Sequence, residues 1–357
     1  MEKTFTKMNI LLTYNIREFV DVLCRFANEI HVADNGVRNP VIADQKKVFS
    51  YQLLNGGMFT KLIAVAQYLF DYKIDIIYAQ GIRHLIFYTL ARLISRCNCR
   101  IIVTSHSSYV WKRSWKPVII LGLTRLLANA FIFLARCHYE KWQTYCKCIG
   151  LRSFHIGNPV DVQRFKPKDR TIKNKYWQLG YVGVVNKQKG QDVLIEAANQ
   201  LKMHGLEFSL HMVGDVNDIN YQKELKFLIE KYNLGSTVHF YGRMPYDQIP
   251  SFLSSLDIYL CPSLMEMMPF NILEAMATGL PVVATLVGGI PDAIRSGIEG
   301  FLVTPGNPTA LTEGIIKAMD PGVYAKLSRN SRSRVEAEFS YHAIGTKLQM
   351  ILEKILQ

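Results

Sequence analysis

Glu266 and Glu274 flank Pro269 and are followed by a Gly288-Gly289 turn, and in this 357-residue chain no other stretch is as well suited to chemistry. Pro269 pre-sets a helical φ and lacks the N–H that a first-turn residue would leave unpaired. Ile272, Leu273, Ala275 and Met276 then supply one apolar side of a short helix. Gly279 fits a left-handed position and Pro281 forbids continuation, so the helix should stop near Thr278. Pro281 to Thr285 reads as a buried strand, and Pro291 opens another helix. A loop delivered to a helix N-terminus, repeated after a strand and a glycine turn, builds a pocket for an anion. On one continuous helix the two glutamates would lie about 80° apart. With Pro269 between them, Glu266 belongs on the loop and Glu274 on the helix face. A sugar nucleotide spanning them would rest its diphosphate on the helix start, at Met268, Pro269, Phe270 and Asn271. Taken singly, each glutamate reads better as a solvated surface acid.

Such a pocket needs a sheet behind it. Met8 to Tyr14, Glu29 to Ala33, residues 74–80 and residues 100–108 read as strands. Helical stretches alternate with them at Arg17 to Phe26, Lys61 to Phe70 and His84 to Ser95, which argues a doubly wound parallel sheet. Ligands of such sheets sit beyond the carboxyl ends of strands, where His106 falls. Residues 117–128 read as a helix, 130–135 as a strand and His138 to Ile149 as a helix. Farther on, Tyr181 to Val185 is expected as a strand and Asp192 to Leu201 as a helix, with Lys189-Gly190 between them. Strands that each end in a turn, at 210–215, 238–245 and 300–308, and an amphipathic helix at 340–357 follow.

Composition narrows the class. An apolar fraction of 49% with 20% charged residues suits two globular domains. The N-terminal apolar run is shorter than a secretory signal core. Seven cysteines, an odd count with C-x-C rather than metal-type spacing, read as reduced thiols, and the expected compartment is cytoplasmic. Charge is uneven. Residues 1–170 hold 25 Lys and Arg against 11 Asp and Glu, a net of +14, whereas the remainder is close to neutral. A basic half suggests an anionic partner. The 111–135 stretch is the most membrane-like, but a central Arg125 costs about 2.5–3.5 kcal/mol on insertion, so spanning is not expected. Trp111, Lys112, Arg113, Trp115 and Lys116 read either as core tryptophans beside surface lysines or as an interfacial membrane contact.

The string CPSLMEMMPFNILEAMATGLPVVATLVGGIPD, residues 261–292, resembles the E-x7-E region of retaining family-4 glycosyltransferases, the glycosyl transferases group 1. The resemblance continues through much of the C-terminal half. It implies a GT-B fold, two Rossmann-like parallel-sheet domains facing across a cleft. It would divide the chain into an acceptor-side domain (1–165), a linker (166–176), a nucleotide-sugar-binding domain (177–338) and a final helix (339–357) crossing back. In the family the first Glu, here Glu266, sits by the donor sugar, and the second, here Glu274, holds the ribose. His106 matches the histidine beside the donor sugar. Gly214 and Gly242 stand in loops that flank the nucleotide in the family, and Gly183 matches the Gly of the family's Gly-Arg pair. Lys189-Gly190 matches half of the diphosphate clamp; Val184 stands where members carry Arg, leaving Lys187 or Arg243 as a substitute. Met267 stands where members usually have Gly.

The implied reaction is transfer of a sugar, with retention, from a nucleotide diphosphate sugar to a hydroxyl of a saccharide or lipid-linked saccharide. Cell-surface polysaccharide or glycolipid assembly, lipopolysaccharide included, is the implied setting. Helix N-termini and a Lys can stabilise the leaving diphosphate, so no metal or other cofactor is expected. The expected partners are the donor, the acceptor and an anionic membrane surface on the cytoplasmic face, not nucleic acid. A nucleotide-sugar epimerase of the same architecture and a non-catalytic basic module binding anionic lipid or nucleic acid are the alternatives. No G-x-G-x-x-G follows the first strand, which disfavours a dehydrogenase.

Overall fold

The computed structural model describes residues 8–13, 17–34, 48–52, 57–79, 85–106, 115–167 and 176–357. The chain divides into two units, one made of Met1–Pro159 with Tyr341–Gln357, the other of Val160–Ser340.

In the first unit, short aliphatic runs become strands because both sheet faces are covered. Strands β1 (Asn9–Leu12), β2 (Glu29–Asp34), β3 (Val48–Gln52), β4 (Ile76–Ala79), β5 (Arg100–Thr104), β6 (Ala130–Phe133) and β7 (Arg152–His155) are joined by α1 (Arg17–Leu23), α2 (Met58–Asp71), α3 (Leu85–Ser95), α4 (Trp115–Leu127) and α5 (Arg136–Cys148). The sheet order is β3-β2-β1-β4-β5-β6-β7, all parallel. The chain starts in the middle, winds out to β3, then returns and winds the other way, so the order reverses between β1 and β4. Strands β3 and β7 are absent from the expectations above. They are the two sheet edges, and VFSYQ and RSFH carry polar residues that blur a buried-strand pattern. Helix α4 starts at Trp115 rather than 117, placing Trp115 and Lys116 in its first turn. Among the described residues no helix is long and apolar enough to cross a membrane. Trp111, Lys112 and Arg113 lie outside the described residues, as do positions 168–175 of the expected linker.

The second unit repeats the plan. It comprises β8 (Trp177–Val182), α6 (Gln191–Met203), β9 (Phe208–Val213), α7 (Ile219–Lys231), β10 (Val238–Phe240), α8 (Ile249–Ser255), β11 (Ile258–Cys261), α9 (Phe270–Ala277), β12 (Val282–Thr285), α10 (Ile290–Ala293), β13 (Gly300–Val303), α11 (Pro308–Met319) and α12 (Pro321–Glu338). Its parallel sheet is ordered β10-β9-β8-β11-β12-β13, reversing between β8 and β11. Strand β8 corrects the expectation of 181–185. It pairs with β9 from Trp177 to Val182 and gives way at Gly183, because there two backbones converge: a Cβ on Gly214 would sit 1.8 Å from the Gly183 carbonyl oxygen. The last helix, α13 (Tyr341–Leu356), belongs to the first unit. It lies against α1, with Gly345 beside Val22 and the Tyr341 hydroxyl donating to Asp21 at 3.3 Å.

Candidate active site

The carboxyl ends of β8 and β11, where the second sheet reverses, are the place at which a doubly wound sheet opens toward a ligand. After β8 the chain makes a tight turn over Lys187–Lys189, and Asn186 Oδ1 accepts the Lys189 N–H at 3.2 Å. Gly190 follows at φ +69°, and a Cβ there would stand 2.3 Å from the Pro262 carbonyl oxygen, so this position tolerates only glycine. The turn aims Lys189 at the loop after β11. Its Nζ donates to Glu266 Oε1 at 2.5 Å, and Ser263 Oγ donates to the same oxygen at 2.8 Å. Glu266 is 9% exposed, and its desolvation is offset by these two donors. The loop is held from behind. Thr285 Oγ1 donates to the Ser263 carbonyl at 2.5 Å, and Gly289 N–H donates to the Met267 carbonyl at 2.5 Å. The Met267 side chain is buried, so a side chain in place of the family's usual glycine is accommodated inside the protein.

Helix α9 begins at Phe270 with Pro269 before it, and Pro269 offers no side-chain acceptor to the first turn. Asn271 Nδ2 donates to the Val182 carbonyl at 2.5 Å, pinning the helix start to the end of β8, while its Oδ1 accepts the Ile272 N–H. The N–H groups of Phe270 and Asn271 have no acceptor within the helix, and the helix dipole adds partial positive charge there. Glu274, one turn on, is 6% exposed and accepts the Tyr246 hydroxyl at 2.8 Å. Tyr246 is clasped in turn. The Arg164 guanidinium lies 4.5 Å from its ring centroid and donates to the Tyr246 carbonyl at 3.3 Å and to Asp247 at 2.8 Å. Arg332 donates to the carbonyls of Val162, Phe165 and Ala277, tying the segment that carries Arg164 to the far end of α9. Sequence reasoning missed Tyr246, since no local spacing links it to an acid 28 positions away.

Of the two proposed substitutes for the absent clamp arginine, Lys187 is held by Asp192 at 3.0 Å and Glu224 at 2.7 Å. Arg243 is 83% exposed and only 4.0 Å from Asp215. Gly214 donates to the Gly242 carbonyl, so Gly183, Gly214 and Gly242 form a row of turns past β8, β9 and β10. Cys261, beside the loop, is no nucleophile near neutral pH, because burial and then the Glu266 charge push its thiol up to about 12. Among the described residues no group of His, Cys, Asp and Glu is placed to hold a metal.

Glu266, Glu274, Lys189, Gly190, Met268, Pro269, Phe270, Asn271 and Gly183 thus come together in the second unit. His106, Trp115 and Lys116 belong to the first. His106 follows β5, edge-on to Phe19, and its Nε2 is shielded with no hydrogen-bond partner among the described residues. Burial lowers its pKa to about 4, so the imidazole is neutral at physiological pH.

Residues 162–334 match the family model for glycosyl transferases group 1. Over 206 residues the chain is 32% identical to the putative colanic acid biosynthesis glycosyltransferase WcaL of Escherichia coli, covering 55% of this chain and 50% of that protein. Over 205 residues it is 30% identical to the amylovoran biosynthesis glycosyltransferase AmsK of Erwinia amylovora, covering 55% and 49%. The chain spans about half the length of the curated relatives it matches. In fold it resembles Anabaena Alr3699/HepE, solved in complex with UDP and glucose, with a TM-score of 0.80 at 22% identity over 97% of this chain and 100% of that one. Among the described residues, two parallel sheets of seven and six strands, each flanked by helices, are the composition of the GT-B fold.

Proposed function

We propose that this chain, whose residues 162–334 belong to the glycosyl transferases group 1 family, transfers a sugar with retention from a nucleotide diphosphate sugar to a saccharide or lipid-linked saccharide hydroxyl. The observation that carries this reading is the Lys189–Glu266 pair set beside the uncapped start of α9 at the reversal of the second sheet. In this reading the diphosphate lies on the Phe270 and Asn271 N–H groups, with Lys189 neutralising charge that grows as the sugar leaves. Glu274 takes the ribose hydroxyls, and Arg243 supplies the second cation that Val184 does not. Uracil is the base we assign, following the UDP held by the Anabaena neighbour. Glu266 meets the donor sugar. The step needs no metal ion or cofactor. Polysaccharide assembly on the cytoplasmic side of a membrane is the setting, a reading supported by the likeness to WcaL of colanic acid biosynthesis and AmsK of amylovoran biosynthesis.

Donor binding is the first test. UDP-sugars should raise the melting temperature, by about 2.7 kcal/mol of added stability at a hundredfold excess over Kd. Lys189→Ala should abolish that rise, and Val184→Arg should strengthen it. Transfer to a saccharide acceptor should persist in EDTA and give a product of unchanged anomeric configuration by NMR. Normal donor binding by Lys189→Ala would move the phosphate site elsewhere; activity lost to EDTA and restored by Mg²⁺ would overturn metal-free transfer.

A further inference from the structure

Helices α2, α3 and α4 connect β3, β4, β5 and β6 in succession, and right-handed crossovers place all three on one side of the first sheet. Neighbours in that row touch, α2 with α3 and α3 with α4. Each turns an apolar side inward, with Val65 and Leu69, Leu85 and Tyr88, and Leu121 in one core. Each also has a second apolar stripe, and this one is exposed. On α2, Phe59, Ile63 and Phe70 recur at helical spacing, and Phe59 is 75% exposed. On α3, Ile86, Leu90 and Leu93 do the same, with Leu93 62% exposed. On α4 the stripe is Trp115, Ile119 and Leu126, with Leu126 77% exposed. Single exposed hydrophobes are ordinary; three adjoining stripes make a contiguous patch that a soluble surface rarely leaves bare.

We infer that the outward faces of α2, α3 and α4 form a docking surface for an anionic lipid bilayer. Charge selects this occupant. The three helices hold Lys61, Arg92, Lys116 and Arg125 against a single acid, Asp71, within a half of the chain whose net charge is +14. Long basic side chains beside aromatic and aliphatic ones suit the boundary between headgroups and acyl chains. A second copy of this chain would set one basic face against another, which like-charge repulsion opposes. The inference stands on the first unit alone and needs no step of the transfer reaction.

Co-sedimentation of the full chain with vesicles tests it, using phosphatidylcholine alone or mixed with phosphatidylglycerol. The protein should partition at least about tenfold more strongly onto the anionic vesicles, and less so as salt rises. Two variants should each lose about tenfold or more: Phe59→Asn/Leu93→Asn/Leu126→Asn, which removes apolar burial, and Lys61→Glu/Arg92→Glu, which reverses charge. All five side chains lie at the unit's surface or partly exposed, so an unchanged circular dichroism spectrum checks the fold, and the two variants act through different chemistry. Undiminished binding by the charge-reversed variant, equal binding to both vesicles, or binding to neither would overturn the inference. So would a stable dimer dissociated by the triple variant, which would make the face a contact between copies.

Discussion

Tyr246 fixes which way the Glu274 carboxylate points, because its hydroxyl takes Oε1 while Arg164 holds the tyrosine ring and backbone. Tyr246→Phe removes the donor and keeps the ring. If Glu274 reads the ribose, the variant should bind UDP about tenfold more weakly, the cost of losing a hydrogen bond to a charged group. Its affinity for 2′,3′-dideoxy-UDP, which has no hydroxyl to misplace, should be unchanged. Equal losses on both nucleotides by calorimetry would make Tyr246 a packing residue only. Wild-type protein that fails to distinguish the nucleotides would instead remove Glu274 from the ribose. The two glutamates were legible in the chain because Pro269 and Gly279 punctuate the backbone locally, assigning Glu266 to a loop and Glu274 to a helix. Their partners were not. Ser263 and Lys189 meet Glu266, and Tyr246 meets Glu274, only through tertiary folding, and tertiary contacts leave no periodicity to read. The same limit hid that Lys187 answers two acids, Asp192 and Glu224.

At the scale of elements, the loop that carries Glu266 keeps its shape by contact with the turn after β12. Gly288 sits at φ +54°, and a Cβ there would lie 1.9 Å from the Glu266 carbonyl oxygen. Gly288→Ala therefore adds both a left-handed strain and a backbone collision, and it should destabilise the second unit by roughly 1–3 kcal/mol. Because the loop must move to admit the methyl group, donor binding should fall further than stability does. Urea unfolding alongside donor titration separates the two, and a variant that melts lower yet binds donor normally would mean the loop can shift without losing its site. Helix α9 was readable to within a residue or two, since its stop is written in Gly279 and Pro281. Strand β8 was misplaced by four residues at its start, because WQLG lacks a β-branched run and owes its pairing to β9. Edges β3 and β7 escaped for a related reason: VFSYQ and RSFH mix polar and apolar residues, and a short mixed run carries no strong period.

At the scale of the whole molecule, the final helix is last in the chain yet part of the first unit's core. Ile344, Leu348, Leu352 and Ile355 of α13 are essentially inaccessible to solvent, and Gly345 lets the helix approach Val22 of α1 closely. Full burial of such a side chain contributes about 1.5–3 kcal/mol, an upper figure given that the unfolded chain is partly compact. Four of them together rival the 5–15 kcal/mol that holds a typical domain folded. Deleting residues 341–357 should thus unfold the first unit rather than trim it. The second unit keeps its own core, built from Leu179, Leu194, Leu210, Leu225, Ile258 and Ile315 among others, none of which belongs to α13. Calorimetry of the truncated chain should therefore retain one transition and lose the other, and limited proteolysis should leave a fragment close to residues 160–340. If the donor site lies wholly in that fragment, UDP should still raise its melting temperature. A truncated chain that keeps both transitions would show the helix to be dispensable. One that loses both would show that the second unit depends on the first for its stability, and the division into two cores would then not describe how the protein unfolds.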